Sequence, residues 1–147
     1  MEIYPMPGFP TLSVKNLGHS GRWYEETLGF SHVFAMQGQW GEPTLVHLRW
    51  RKYADLLLVK DTEERADDSR GHGVQLSFLV ENVDLDHMAE QLRERDVTVL
   101  EGPVDRPWNV RELIVADPDG YRLCFFKPID TSLTMDDVLG GMQQSEG

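Results

Sequence analysis

The sequence is poor in cysteine. Cys124 is the only one, so no intramolecular disulfide can form. A lone thiol favours a reducing compartment, and a cytoplasmic location is expected. Long apolar runs are missing too: none approaches the ~20 residues of a membrane helix, so no membrane association is expected. Met1-Glu2-Ile3-Tyr4-Pro5 lacks a basic stretch followed by an apolar core, and no signal peptide is expected. Basic residues are scarce, with 14 Lys and Arg against 25 Asp and Glu and a net charge of −11. Phosphate binding needs clustered Lys and Arg, so nucleic acid is not an expected partner. Neither a Gly-x-Ser-x-Gly elbow nor a phosphate-binding Gly-x4-Gly-Lys loop occurs. The histidines, His19, His32, His47, His72 and His87, form no HxH or HxxxH pair.

What is present is ordinary for a globular chain: 147 residues, 40% hydrophobic and 27% charged. This length suits one domain, or two small modules sharing a core. The acidic excess serves solubility, and it also steers cationic ligands at long range. Part of it lies in Asp61-Thr62-Glu63-Glu64-Arg65-Ala66-Asp67-Asp68, which reads as a solvated loop between halves.

Apolar positions Phe9, Leu12 and Val14 suit a strand with one slip at Pro10. Helix-start residues follow over Asn16–Ser20, and Gly29 is placed to end that helix. Strands are expected over Ser31–Gln37, Thr44–Trp50 and Ala54–Val59, the last apolar except for Asp55. The second half repeats this order. A strand at Val74–Val80 precedes a helix capped by Asn82 or Asp84, with Leu85, Met88, Ala89 and Leu92 on one face. A strand at Asp96–Leu100, a loop at Glu101–Pro107, a strand at Val110–Ala116, a tight turn at Asp117–Gly120 and a strand at Tyr121–Phe126 complete it. The expected class is α+β: two βαβββ modules, residues 9–60 and 74–128, joined by an acidic linker at 61–73. Paired, they would form a curved, partly open eight-stranded sheet around a groove. In the polar tail, 129–147, Thr134 suits a cap for a helix bearing Met135, Val138 and Leu139. A helix that short is marginal alone, so a frayed tail is expected.

Val14-Lys15-Asn16-Leu17-Gly18-His19-Ser20-Gly21-Arg22-Trp23-Tyr24, followed by Leu28-Gly29-Phe30, resembles the first strand and helix of the vicinal oxygen chelate superfamily. Ala116-Asp117-Pro118-Asp119-Gly120-Tyr121-Arg122-Leu123 resembles its last hairpin. That superfamily groups glyoxalases, extradiol dioxygenases and bleomycin-resistance proteins, and its enzymes hold a divalent metal with His and Glu at fixed strand positions. The resemblance puts those positions at Phe9, Leu57, Gln75 and Cys124. One neutral Gln does not hold a hard cation against water, and Cys124 has no evident partners. A shifted alignment would offer Asp55 or His72. No metal, cofactor or catalytic residue is therefore expected.

Arg106-Pro107-Trp108-Asn109-Val110-Arg111-Glu112 is similar to the bleomycin-resistance branch, whose members often read Pro-Trp-Gly there. Asn109 stands in for the Gly and tolerates the same left-handed backbone. The branch implies a homodimer that binds an intact antibiotic in a groove. Trp108 and Trp40 are expected on opposed lips, where flat rings stack on a planar ligand, and Phe34, Met36, His32 and His47 along the wall. Trp23 and Trp50 are expected in the core. The function expected is sequestration of a small aromatic or cationic ligand without turnover. The alternative is a lyase, isomerase or dioxygenase of the same superfamily.

Overall fold

The computed structural model describes residues 6–61 and 70–145. Backbone contacts divide the chain into two units. The first runs to His72 and also holds Pro118–Tyr121; the second comprises Gly73–Asp117 and the chain from Arg122 onward.

In the first unit, β1 (Thr11–Val14), α1 (Leu17–Trp23), β2 (Ser31–Gln37), β3 (Pro43–Arg51) and β4 (Ala54–Lys60) form a four-stranded sheet of order β1-β4-β3-β2. β1 runs parallel to β4, and the other pairs are antiparallel. Side chains alternate across a strand, so one face carries Leu12, Val14, Val46, Leu48, Leu56 and Leu58, all buried. α1 covers this face, with Leu17 buried beneath it. Asn16 starts the helix by accepting the His19 N–H on its side chain, at 3.0 Å. A single π-helical turn, Tyr24–Leu28, extends it, and Gly29 at φ 87° stops it, as expected. Tyr24 and Phe30 meet edge-on at 5.3 Å inside the core. Trp23 and Trp50 are half-buried at the two ends of that aromatic chain, 5.1 Å from Tyr24 and Phe30 respectively.

The Pro118–Tyr121 segment makes contacts within this unit. Asp119 Oδ2 accepts the Ser20 hydroxyl at 3.3 Å, and the Tyr121 hydroxyl donates to the Ser13 carbonyl at 2.7 Å. Arg70, buried, donates through Nε to Asp61 at 2.9 Å. Most of the acidic linker, 62–69, lies outside the described residues.

In the second unit, β5 (Gln75–Leu79), α2 (Leu85–Glu94), β6 (Val99–Arg106), β7 (Val110–Ala116) and β8 (Arg122–Pro128) repeat the plan in the order β5-β8-β7-β6. The eight strands thus fall into two open four-stranded sheets, one per βαβββ module. Asp84 is the helix cap, accepting the N–H groups of Asp86 and His87, whereas Asn82 adopts φ 55°. Leu85, Ala89 and Leu92 are buried, as are Phe78, Leu113 and Phe125 of the sheet. Burying each large apolar side chain contributes roughly 1.5–3 kcal/mol.

Two expectations are corrected. The loop expected at Glu101–Pro107 is strand as far as Arg106. β6 is an edge strand, where proline is tolerated, and the register shifts between Glu101 and Val104 take up Gly102-Pro103. The frayed tail is instead α3 (Met135–Ser145). A reciprocal capping box starts it: the Asp137 N–H donates to Thr134 Oγ1 at 3.1 Å, and the Thr134 N–H to Asp137 Oδ2 at 3.0 Å.

Candidate functional site

In the first unit, the sheet face turned away from α1 is set by cross-strand register. Thr11, Leu57, His47 and Phe34 are successive partners across β1, β4, β3 and β2. Met36 lies opposite Leu45 on the same face. Phe34 is 54% exposed and Met36 49%. Beside them is a buried polar cluster. Asp55 accepts Arg49 Nε at 2.8 Å and Arg49 Nη2 at 3.1 Å, and its Oδ2 lies 2.7 Å from His47 Nε2.

His32 does not join this group. A register shift between His32 and Phe34 puts His32 opposite Leu48, on the helix-covered side, with Nδ1 3.9 Å from Glu25. The strand alternation assumed from sequence is broken by that bulge. Trp40 sits at the tip of the β2–β3 connection, 83% exposed, its backbone N–H donating to the Glu42 carboxylate at 3.0 Å. His19 and His87 are exposed on α1 and α2, and His72 is exposed before β5.

In the second unit, the corresponding face carries Cys124 and Glu112. Cys124 Sγ donates to Glu112 Oε2 at 3.2 Å. Arg106 Nε donates to Glu112 Oε1 at 2.6 Å, and Arg106 Nη2 to Glu101 at 2.6 Å. These bonds push the guanidinium pKa further above its usual value. Burial, and then the bond to Glu112, push the Cys124 thiol up to about 12.

Trp108 occupies the β6–β7 turn, 45% exposed, with the Arg106 guanidinium 6.0 Å from its ring. Asn109 takes φ 67°, the left-handed backbone expected of a Gly substitute. Its side chain clasps the segment after β8: Nδ2 donates to the Asp130 carbonyl at 2.8 Å, and Oδ1 accepts the Asp130 N–H at 2.9 Å. Trp108 lines a cleft of about 280 Å³ together with Val110, Pro128, Leu133, Met135 and Val138. The α3 side of that cleft was not anticipated, because the sequence favours a frayed tail over the Thr134-capped helix. The clusters around Asp55 and Glu112 were also missed as clusters. The signal for the first was an acidic residue inside an apolar strand; the second needed the register of β7 against β6 and β8.

A family model described as Glyoxalase/Bleomycin resistance protein/Dioxygenase superfamily matches residues 8–125. The chain belongs to this superfamily. Among solved structures, it is similar to TnmS3, an antibiotic binding protein from Streptomyces sp. CB03234, at 25% identity and a TM-score of 0.65, over 87% of this chain and 98% of that one. It is similar to a glyoxalase/bleomycin resistance protein from the same Streptomyces, at 25% identity and a TM-score of 0.60, over 80% and 95%. An integron cassette protein from the mobile metagenome of the Halifax Harbour sewage outfall is 26% identical, with a TM-score of 0.64 over 81% and 95%. No curated protein matches the chain in sequence.

The superfamily's metal positions can be tested against the register. Leu57 pairs with Thr11, and Cys124 pairs with Ser77; Phe9 and Gln75 each lie two residues before those partners. The two modules thus place the four positions equivalently. Their donor chemistry does not fit a divalent metal. Phe9 and Leu57 offer no donor, Gln75 offers one neutral oxygen, and Cys124 is a lone buried thiol already bonded to Glu112. The shifted alternatives do not rebuild a site: Asp55 is bound by Arg49 and His47, and His72 is exposed in a turn. Among the described residues, no three His, Cys, Asp or Glu side chains converge.

Proposed function

We infer that this superfamily member binds and sequesters a small planar aromatic or cationic ligand, such as an antibiotic, with no metal and no turnover. The observation that carries this reading is the substitution of the family's donor positions by Phe9, Leu57, Gln75 and the buried Cys124, with Phe34 and Met36 exposed on the sheet face of the first unit. A face on which no three ligating side chains converge among the described residues, but with exposed ring and thioether surface, suits stacking and dispersion. Trp108 and Trp40 add exposed indoles, and the net charge of −11 favours cations at long range. The likeness to TnmS3, an antibiotic binding protein matched over nearly its whole length, supports the same reading. The protein acts as a cytoplasmic homodimer in this proposal, with His47 and the Asn109 turn as further ligand contacts.

One observation favours a second reading, a lyase or isomerase of the same fold. His47 bonded to buried Asp55 has the geometry of an oriented acid–base group. Elemental analysis of the purified protein, beside tryptophan-fluorescence titrations with bleomycin-type and planar aromatic antibiotics, separates the two. No stoichiometric metal and saturable quenching at micromolar drug are expected. A stoichiometric divalent metal, or chemical conversion of the added compound, would overturn sequestration in favour of the enzyme.

A further inference from the structure

Asp55 is the one acidic residue of β4 and is 3% exposed. Burying a carboxylate is costly unless it is paired and hydrogen-bonded, and Arg49 and His47 meet that need from the neighbouring strand. The arrangement fixes the chemistry of His47. A carboxylate held by a guanidinium stays ionised and only accepts hydrogen bonds. Nε2, 2.7 Å away, therefore carries the imidazole proton and donates it to Asp55. In the neutral ring, Nδ1 is then a bare acceptor. Nδ1 takes no hydrogen bond among the described residues. Its cross-strand neighbours are apolar: Leu57 on β4 and the exposed ring of Phe34 on β2.

A lone acceptor, locked in one tautomer and flanked by a ring and an aliphatic side chain, selects a matching ligand. We propose that His47 Nδ1 is a specificity determinant, and that the ligand class is a planar aromatic bearing a phenol-type hydroxyl. The hydroxyl donates to Nδ1 while the ring lies against Phe34. Asp55 and Arg49 are positioning residues that set the tautomer. This inference rests on the sequestration reading and specifies its ligand. A site built to hydrogen-bond a hydroxyl rejects the analogue lacking it more strongly than an apolar site does, because a polar group is left unpaired.

The test compares 7-hydroxycoumarin with 7-methoxycoumarin, which differ in that one O–H. Fluorescence titrations use the full chain and its His47→Phe variant, with folding checked by circular dichroism. The wild type should bind the hydroxy compound about tenfold tighter, the magnitude of one hydrogen bond to a partly buried acceptor, and His47→Phe should abolish the difference. The nitrogen NMR spectrum of His47 in the ligand-free wild type should show protonated Nε2 and bare Nδ1, a readout independent of binding and of the variant's folding. Equal affinity for both coumarins, a preference that survives in His47→Phe, or a protonated Nδ1 in the neutral ring would overturn the role of His47 and leave sequestration standing. If other planar aromatics bind and neither coumarin does, the hydroxyl class is wrong while sequestration holds. If no planar aromatic or antibiotic binds at all, both fall.

Discussion

Asp119 Oδ1 accepts the backbone N–H of Lys15 at 3.0 Å, across 104 residues of chain. The two sequence motifs that mark the superfamily, the strand–helix start at Val14-Lys15-Asn16 and the Asp117–Gly120 turn, are joined through this one buried carboxylate. With the Ser20 hydroxyl on its other oxygen, Asp119 satisfies two donors at the start of the first helix.

Replacing Asp119 by Ala leaves the Lys15 N–H and the Ser20 hydroxyl without their acceptor and removes a carboxylate 4.0 Å from Arg70. A loss of about 2–4 kcal/mol is expected, the range for breaking a buried polar network. Urea denaturation measures it, and a loss below about 0.5 kcal/mol, the surface-substitution range, would show the contact to be incidental.

Asn109 has two separable duties, a left-handed backbone and a side-chain clasp on Asp130. Asn109→Gly keeps the first and loses the second, while Asn109→Ala loses both. The Ala variant should be less stable than the Gly variant by about 1 kcal/mol. Equal midpoints in urea would mean that the turn tolerates the added strain.

Cys124 should resist alkylation in the native state at pH 8, since its thiol titrates at about 12. A raised thiol pKa favours the folded state while the thiol stays protonated. That contribution is full below the unfolded value near 9 and is lost as the pH rises through about 12. Glu112→Gln removes the negative partner, so the thiol pKa should fall and native-state labelling by a soluble disulfide reagent should speed up. Unchanged labelling would assign the protection wholly to burial.

The capping box of α3 makes its stability sensitive to acid. The Thr134 N–H and hydroxyl hold the Asp137 carboxyl below its ordinary pKa. A depressed pKa stabilises the helix above the unfolded value, and that support is lost as the pH falls through the folded one. The protection of the Met135–Val138 amides, relative to their intrinsic exchange at each pH, should therefore fall on acidification below pH ~4, the ordinary carboxylate range. In Thr134→Ala protection should be low throughout; high protection in that variant would rule out the cap as the cause.

Trp108→Ala should weaken binding of a planar antibiotic by about 1–3 kcal/mol if its indole stacks on the ligand. Fluorescence titration in low and raised salt checks this together with steering. A cationic ligand should bind more weakly as salt is added, and a flat response would reduce the acidic charge to a solubility device.

Local chemistry made much of the fold legible. Gly29 ends α1 and Asp84 caps α2 because those signals need only neighbouring residues. Strand bounds such as Ser31–Gln37 and Val110–Ala116 follow from alternation and flanking turns. What failed needed partners far along the chain. The bulge that turns His32 away from Phe34 appears only in register with β3. β6 continues through Gly102-Pro103 because β7 supplies its pairing; there Gly102 takes φ 89°, and any Cβ would collide with the Glu112 carbonyl. At the candidate site, Phe34, Met36 and His47 were legible as one face, whereas the carboxylates that fix His47 and Cys124 were not.

The Tyr121 ring lies so close to Gly71 that a Cβ there would strike it, and its hydroxyl closes on Ser13. A gene fragment ending at His72 would therefore encode a strand–helix repeat missing part of its own interior. The halves echo each other in pattern but are not interchangeable cassettes. Splitting the gene between them should yield pieces that fold only by complementation, with the second piece returning the Pro118–Tyr121 segment to the first.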